Sequence, residues 1–131
     1  MSLGWKGIVI HHSLTGDSGT VSWEAIRRYH TNPDGPAQYR MRDIGYHAGI
    51  ELIGEKYEVL FGRPLDWVGG HCPPVNRTYL GLLFVGNYDL IAPPEEMLRV
   101  ACERVIRPWQ KAFDIPAENI RPHREFAEKW C

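Results

Sequence analysis

Two short and uninterrupted apolar runs limit what this chain can fold into. Residues 7–10 are rich in β-branched side chains, and residues 79–87 form the most apolar stretch of the sequence. A continuous apolar run of this length is typical of a strand that is buried on both faces. Neither run approaches the roughly 18 residues that a membrane-spanning helix requires. The sequence therefore predicts two buried strands, with the second near the centre of a sheet.

Helical spacing predicts two helices. Ser22 can cap a helix that runs to about Tyr29, because its hydroxyl can accept a hydrogen bond from the first turn. A second helix is expected after Pro93 and Pro94, where acidic residues in the first turn suit the helix dipole. Pro108 lies within the apolar pattern of this helix, so we expect it to kink or break the helix there.

The spacing of the remaining apolar segments predicts a hairpin and a fold class. Residues 48–53 and 57–62 are separated by Gly-Glu-Lys, which favours a tight turn between two strands. Strands mixed with two sizeable helices predict an α/β domain, with a central mixed β-sheet and helices packed on its faces. The length of 131 residues suits a single domain over residues 1–131.

Charge and cysteine content exclude several classes of protein. With 15 basic and 16 acidic residues, the chain has no global electrostatic reason to bind nucleic acid or an anionic membrane. No basic segment followed by a long apolar stretch opens the sequence, so no signal peptide is predicted and synthesis in the cytoplasm is expected. Three cysteines at wide spacing make a poor disulfide framework, and at least one should be a free thiol.

The histidines and cysteines offer the chemistry of a zinc site. Zinc favours imidazole nitrogen and thiolate sulfur, and a catalytic site uses three protein ligands with a fourth position left for water. Spacing alone leaves two interpretations of the candidate ligands open. In one, His11, His123 and Cys131 bind a metal; in the other, His11 is a hydrogen-bonded histidine at a strand end and Cys131 a buried thiol.

Four segments in order carry a family resemblance. They are Ile-Val-Ile-His-His-Ser at residues 8–13, Ile-Gly-Tyr-His at 44–47, Val-Gly-Gly-His at 68–71 with Asn76 and the run 80–88 behind it, and Ile-Arg-Pro-His-Arg-Glu at 120–125 followed by Cys131. Together they resemble the type-2 N-acetylmuramoyl-L-alanine amidases. This superfamily includes small phage amidases and the animal peptidoglycan recognition proteins. Each segment alone is a weak match, but all four keep the order of the family.

The resemblance implies a set of site residues. It assigns zinc to His11, His123 and Cys131, with His12 on the opposite face of the strand because side chains alternate. The implied catalytic residues are Tyr46 and Lys129. The implied substrate-binding residues are His71, Trp67 and Asn76. An aromatic side chain such as that of Trp67 packs in the protein core more often than it stacks on a sugar.

The resemblance also implies a reaction. The expected activity is Zn²⁺-dependent hydrolysis of the amide bond between N-acetylmuramic acid and L-alanine in peptidoglycan. We expect a monomeric, endolysin-like enzyme of a phage or prophage, which acts on the cell wall and has a muropeptide as its partner. Lytic members have a lysine or threonine at the position of Lys129, which favours hydrolysis.

Two alternatives remain open from the sequence. The first is a recognition module of the same fold that binds muropeptide without cleaving it. The end of the sequence at Cys131 favours this alternative, since a Pro-Gly and a further helix usually follow this cysteine in the family. The second is a structural zinc domain, which would have a fourth protein ligand in place of water.

Overall fold

Five strands form one mixed sheet in the computed structural model, which describes residues 4–13, 22–35, 41–86 and 92–122. The strands are β1 (Gly7–His12), β2 (Ala48–Ile53), β3 (Lys56–Phe61), β4 (Tyr79–Phe84) and β5 (Ile120–Pro122). Helix α1 (Trp23–His30) lies between β1 and β2, and α2 (Glu95–Ala101) and α3 (Arg107–Phe113) lie between β4 and β5. The sheet order is β3-β2-β4-β1-β5.

The strand pairing confirms the predicted mixed sheet. Strand β4 pairs in parallel with both β1 and β2, and β1 pairs in parallel with β5. Strands β2 and β3 form the predicted antiparallel hairpin, whose turn includes Gly54 with a positive φ of 66°. The apolar run at 79–87 yields the third of five strands, as expected for the central position, although residues 87–91 lie outside the described part of the chain.

One face of the sheet, here called the helix face, packs against α2 and α3. Because side chains alternate along a strand, Ile8, Leu80 and Leu82 point to this face. They join the larger apolar core with residues of the helical region, namely Met97, Val100, Ala101, Val105, Ile106 and Trp109. The prediction that apolar residues at helical spacing cover the sheet is confirmed.

The opposite face, here called the site face, carries α1 and the loops before and after the hairpin. A smaller apolar cluster of Trp23, Ile44, Leu83 and Val85 covers part of it. Helix α1 begins as predicted, because the Ser22 hydroxyl accepts a hydrogen bond from the Ala25 N–H at 3.1 Å. His11 lies on this face, since it alternates with Ile8 and Ile10 along β1.

Of the kink or break predicted at Pro108, the break is wrong. The helical region continues from α2 through a π-helical segment, Cys102–Ile106, directly into α3. In that segment the Arg107 N–H bonds to the Cys102 carbonyl, five residues earlier. Proline lacks an N–H and crowds the carbonyl four residues before it, which here belongs to the wider π turn. The wide turn therefore accommodates Pro108 at the start of α3. Among the described residues, no helix combines the length and apolar character needed to cross a membrane.

Candidate functional site

Three side chains from distant parts of the chain meet on the site face. The ring centroids of His11 and His71 are 4.9 Å apart, and those of His11 and Tyr46 are 5.1 Å apart. The third pair, Tyr46 and His71, is separated by 6.4 Å. Each of these residues is among those predicted for the site, and the fold brings all three together.

A glycine on the central strand makes room for this cluster. A Cβ atom at Gly81 would lie 2.7 Å from the His71 ring, closer than real Cβ atoms approach other heavy atoms. Any larger residue would displace His71 from its position over the sheet. His11 and His71 are both buried, with 4% and 7% of their surfaces exposed, so each nitrogen needs a partner.

Two hydrogen bonds link the histidines in a relay. His11 Nε2 and His71 Nδ1 are 2.8 Å apart, and His71 Nε2 is 3.0 Å from the Tyr79 carbonyl oxygen. A carbonyl only accepts, so His71 Nε2 carries a hydrogen and donates it. In a pair of neutral imidazoles, His71 Nδ1 then accepts from His11 Nε2. His11 is therefore the neutral tautomer with its hydrogen on Nε2, and its Nδ1 carries the free lone pair. A neutral imidazole nitrogen of this kind can bind zinc.

The loop that carries His71 is fixed by Asn76. Its side-chain oxygen accepts hydrogen bonds from the backbone N–H groups of His71 and Cys72, at 3.0 and 2.8 Å. Together with the short 3₁₀ turn at Pro73–Val75, this holds the loop in one conformation beside β4. The geometry gives Asn76 a clear structural contribution, and its assignment to substrate binding stays a prediction.

Tyr46 is held by close contact between two loops. Gly70 donates its backbone N–H to the Gly45 carbonyl at 2.9 Å, and a Cβ at Gly45 would collide with the Gly70 carbonyl. His30 borders Tyr46 on the other side, with ring centroids 5.9 Å apart, and its Nδ1 accepts the Gly45 N–H at 3.1 Å. His30 is not among the residues predicted for the site, because its position at the end of α1 gives no sign of this contact.

His47 stabilises the backbone next to the site, because both of its ring nitrogens bond to backbone groups. Its Nε2 donates to the Trp67 carbonyl at 2.9 Å, and its Nδ1 accepts from the Gly81 N–H at 3.1 Å. Burial, which keeps water away from the charged form of the ring, lowers the pKa of His47 to about 4; the nearby Arg63 cation lowers it further, and the hydrogen bond to the Trp67 carbonyl opposes the shift. Both ring nitrogens of His47 are thus occupied by backbone groups, which makes it a structural residue of the site.

This burial predicts a pH dependence of stability. The His47 pKa is 6.5 when exposed and about 4 in the fold, so the unfolded chain binds the extra proton first. The free energy of unfolding should therefore fall as pH drops from 6.5 towards 4, by roughly 3 kcal/mol from this residue. Chemical denaturation at a series of pH values measures this. The lowered pKa of His30 acts in the same direction.

A matched variant isolates the contribution of His47. His47→Gln retains a side-chain donor for the Trp67 carbonyl but does not titrate. We expect its stability to change less between pH 6.5 and 4 than that of the parent chain. Equal pH slopes in the two folded proteins would contradict the assignment, because another group would then carry the dependence.

Trp67 lies beside the cluster instead of within it. Its backbone carbonyl accepts from His47, and its half-buried indole ring packs under the Arg42 guanidinium, whose carbon is 4.1 Å from the ring centroid. His123, Lys129 and Cys131 lie outside the described residues. Within the part of the chain that is described, no group of three or more His, Cys, Asp or Glu residues could hold a metal.

The cysteines differ in state. Cys102 is a free thiol, which confirms that at least one cysteine is unpaired. Cys72 is buried and disulfide-bonded, so the expectation of a poor disulfide framework, drawn from the wide spacing of the cysteines, is wrong for this residue. A disulfide sulfur is no longer a thiolate and cannot bind zinc. Experiments on metal binding therefore need to control the redox state of the protein.

The chain is similar in sequence to one known family and to several curated proteins. The sequence pattern of the family described as N-acetylmuramoyl-L-alanine amidase matches residues 2–131. Peptidoglycan-recognition protein LB of Drosophila melanogaster is 30% identical over 89 residues, which make up 68% of this chain and 37% of that protein. Peptidoglycan recognition protein 1 of Bos indicus is 30% identical over 101 residues, or 76% of this chain and 49% of that protein. The chain thus spans less than half the length of these relatives.

Solved structures share the fold. Drosophila PGRP-LB superposes with a TM-score of 0.76 at 24% identity, covering 98% of this chain and 75% of that one. The amidase LysC from Clostridium intestinale gives 0.74 at 22% identity, covering 97% and 75%. A point mutant of Drosophila PGRP-LB, solved in complex with tracheal cytotoxin, gives 0.75 at 23% identity and covers 98% and 75%. The similar proteins therefore include both amidases and recognition proteins.

Proposed function

Since this chain belongs to the N-acetylmuramoyl-L-alanine amidase family, we propose that it hydrolyses the amide bond between N-acetylmuramic acid and L-alanine in peptidoglycan, with the aid of zinc. The observation that carries this proposal is the hydrogen-bonded pair of His11 and His71 beside Tyr46. A buried partner that fixes the tautomer of an imidazole is typical of a metal ligand, whereas a surface that only binds peptidoglycan does not require one.

The donor chemistry at His11 fits zinc. Histidines that bind a metal almost always donate their second ring N–H to a partner, which fixes the ring and its tautomer. His11 has such a partner in His71, and His71 has one in the Tyr79 carbonyl. The proposed ligands are His11, His123 and Cys131, two imidazoles and a thiolate, which is a donor set that zinc favours.

Strand pairing supports the same ligand set. Pro122, the last residue of β5, pairs with Ile10, the residue before His11. His123 follows Pro122 directly in the sequence, and consecutive Cα atoms are only about 3.8 Å apart. The chain therefore leaves β5 next to the end of β1 that carries His11. A metal ligand at position 123 would therefore follow directly after a residue that pairs with the neighbour of His11.

The reaction would divide between the metal and the side chains around it. Zinc held by His11, His123 and Cys131 would supply a Lewis acid for the scissile carbonyl and would lower the pKa of water towards neutral. Tyr46 would hydrogen-bond the attacking water or pass a proton to the departing L-alanine nitrogen. Lys129 would place a positive charge near the oxyanion that develops on the carbonyl. Trp67 and Asn76 would lie along the bound substrate.

Digestion of purified cell wall tests the proposal. Turnover should release new L-alanine amino termini, stop when a chelator removes zinc, and return when zinc is restored. The assay should be run with and without a thiol reductant, because only a thiolate binds zinc. One zinc per chain in the reduced protein is expected from elemental analysis. Release of L-alanine termini that persists without metal would overturn the zinc mechanism.

Recognition without cleavage is the second candidate function. It is favoured by the names of the related proteins, which include several recognition proteins, and by the PGRP-LB mutant solved with tracheal cytotoxin. Saturable muropeptide binding by zinc-loaded protein, with no release of L-alanine termini, would decide for it. A fourth protein ligand on the metal would instead indicate a structural zinc site.

The relay makes a separate prediction for His71. His71→Ala should weaken zinc binding by roughly 10- to 100-fold, the usual cost of removing the partner that orients a metal-binding histidine. Competition against a chromophoric chelator measures the affinity. His47→Gln is the control, because His47 is also a buried histidine near this cluster but bonds only to backbone groups. Unchanged zinc affinity in folded His71→Ala would show that the relay does not serve a metal.

The proposal also covers the setting in which the protein acts. We propose a monomeric, endolysin-like enzyme of a phage or prophage, made in the cytoplasm and directed to the cell wall. An endolysin amidase from Clostridium intestinale is among the proteins of the same fold, with a TM-score of 0.70. Sedimentation of the purified chain measures whether it is monomeric.

A further inference from the structure

Arg42 is a cation beside the site whose charge no described carboxylate neutralises. It is exposed, and its guanidinium carbon stands 4.1 Å from the centroid of the Trp67 ring. Among the described residues, no carboxylate forms an ion pair with it. The neighbouring carboxylate, Asp43, is bonded to Arg27 at 2.9 Å and to the Ile44 N–H at 2.7 Å. One face of the Arg42 guanidinium therefore stacks on Trp67, while the residue as a whole stays exposed to solvent.

A second arginine, Arg63, is close to Arg42. Arg63 is half-buried and donates to the carbonyl oxygens of Ile44 and Val68, at 3.0 and 2.7 Å, and to the sulfur of Met41. All three acceptors are uncharged, so these bonds hold the loops together, and the charge of Arg63 is balanced in part by the nearby Asp43 carboxylate. Arg42 and Arg63 are close enough to repel each other. An anion at this place would relieve the repulsion.

The two arginines lie next to the proposed reaction centre. Residues 41–46 and 67–71 run beside each other, joined by the Gly70–Gly45 hydrogen bond and by the contacts of Arg63. Arg42 precedes Tyr46 by four residues, and four residues span at most about 14 Å. A peptide that extends from a scissile bond near Tyr46 therefore reaches Arg42 within a few residues.

We propose that Arg42, seated on Trp67, binds a carboxylate of the peptide attached to muramic acid and so makes the protein prefer stem peptides with a free acid to those in which it is amidated. This inference rests on the proposed function. A planar guanidinium matches a carboxylate through two parallel hydrogen bonds, and stacking on an aromatic ring fixes its plane in advance. Amidation of the carboxylate removes its negative charge and replaces one acceptor oxygen with an NH₂ group. This NH₂ is a donor, so it cannot accept a hydrogen bond from the guanidinium.

A pair of ligands that differ at one group tests this. N-acetylmuramoyl-L-alanyl-D-glutamate and its D-isoglutamine counterpart are identical except that the second has an amide in place of the α-carboxylate. Calorimetry in the Tyr46→Phe background, where turnover is slow, gives dissociation constants for both. The acid should bind roughly 10- to 100-fold more tightly than the amide, the range expected for a hydrogen bond to a charged group. Arg42→Ala should abolish that preference, and Arg42→Lys should retain part of it.

Arg77→Ala is the matched control, because Arg77 is an exposed arginine on the same loop as Trp67. It should keep the preference of the parent. An Arg42→Ala protein that is folded and still prefers the acid would overturn the inference, as would equal affinities in the parent. Cleavage of peptidoglycan without any preference would refute this inference alone. Failure to bind or cleave either ligand would refute the proposed function together with it.

Discussion

Replacing His11 with alanine is expected to remove zinc from the protein and to lower the amidase rate by at least about 10³-fold, since a catalytic metal contributes several kcal/mol to the transition state. His11 is the only proposed ligand among the described residues, and it is buried with its Nε2 bonded to His71. Elemental analysis and the release of L-alanine termini measure the two effects. Both should fall together in the same preparation.

The neighbouring histidine gives a matched control. His12 is half-buried at the end of β1 and lies on the other side of the strand. We expect His12→Ala to keep its zinc and most of its activity. His11→Gln serves as a second variant, because it fills the buried space and keeps a donor for His71. If either folded His11 variant retained a full complement of zinc, His11 would not be a ligand.

Removing the hydroxyl of Tyr46 is expected to have the second large effect. Tyr46→Phe should lower kcat by roughly 10²- to 10⁴-fold, the range for loss of a positioned acid or base, while zinc content stays unchanged. The aromatic ring, which packs near His11, His30 and His71, is retained. Initial rates on soluble muropeptide, together with metal analysis of the same sample, separate chemistry from metal loss.

Tyr57→Phe is the control for a general loss of a phenol. Tyr57 is half-buried on β3 and packs against the core of the helix face, away from the site. Its variant should have the kcat of the parent. A Tyr46→Phe protein with full kcat would make Tyr46 a packing residue, and the proton for the leaving nitrogen would have to come from elsewhere.

Local patterns were sufficient to predict most of the secondary structure. The continuous apolar runs indicated β1 and β4 because a strand buried on both faces has no polar positions to interrupt it. Alternation along β1 separated His11 from His12, since the two neighbours must face opposite sides of the sheet. These features depend on a few adjacent residues, and so they can be recognised without knowledge of the tertiary structure.

Features set by tertiary contacts could not be predicted in this way. Pro108 disfavours a helix locally, yet the helix continues because Val105 and Trp109 on either side of it are buried against the sheet. The approach of His30 to Tyr46 and the stacking of Arg42 on Trp67 join residues far apart in sequence. Polar residues in loops carry no periodicity, so nothing in their spacing indicated these contacts.

The pairing of β5 with β1 has a consequence for biosynthesis. Ile8 pairs with Ile120, so the two partners leave the ribosome with more than one hundred residues between them. Until β5 arrives, β1 is an edge strand of a four-stranded sheet, with unpaired backbone groups along one side. Contacts of such high sequence separation form slowly. The sheet of the described residues is therefore completed only after residue 122 has left the ribosome, and β1 keeps an open edge until that point.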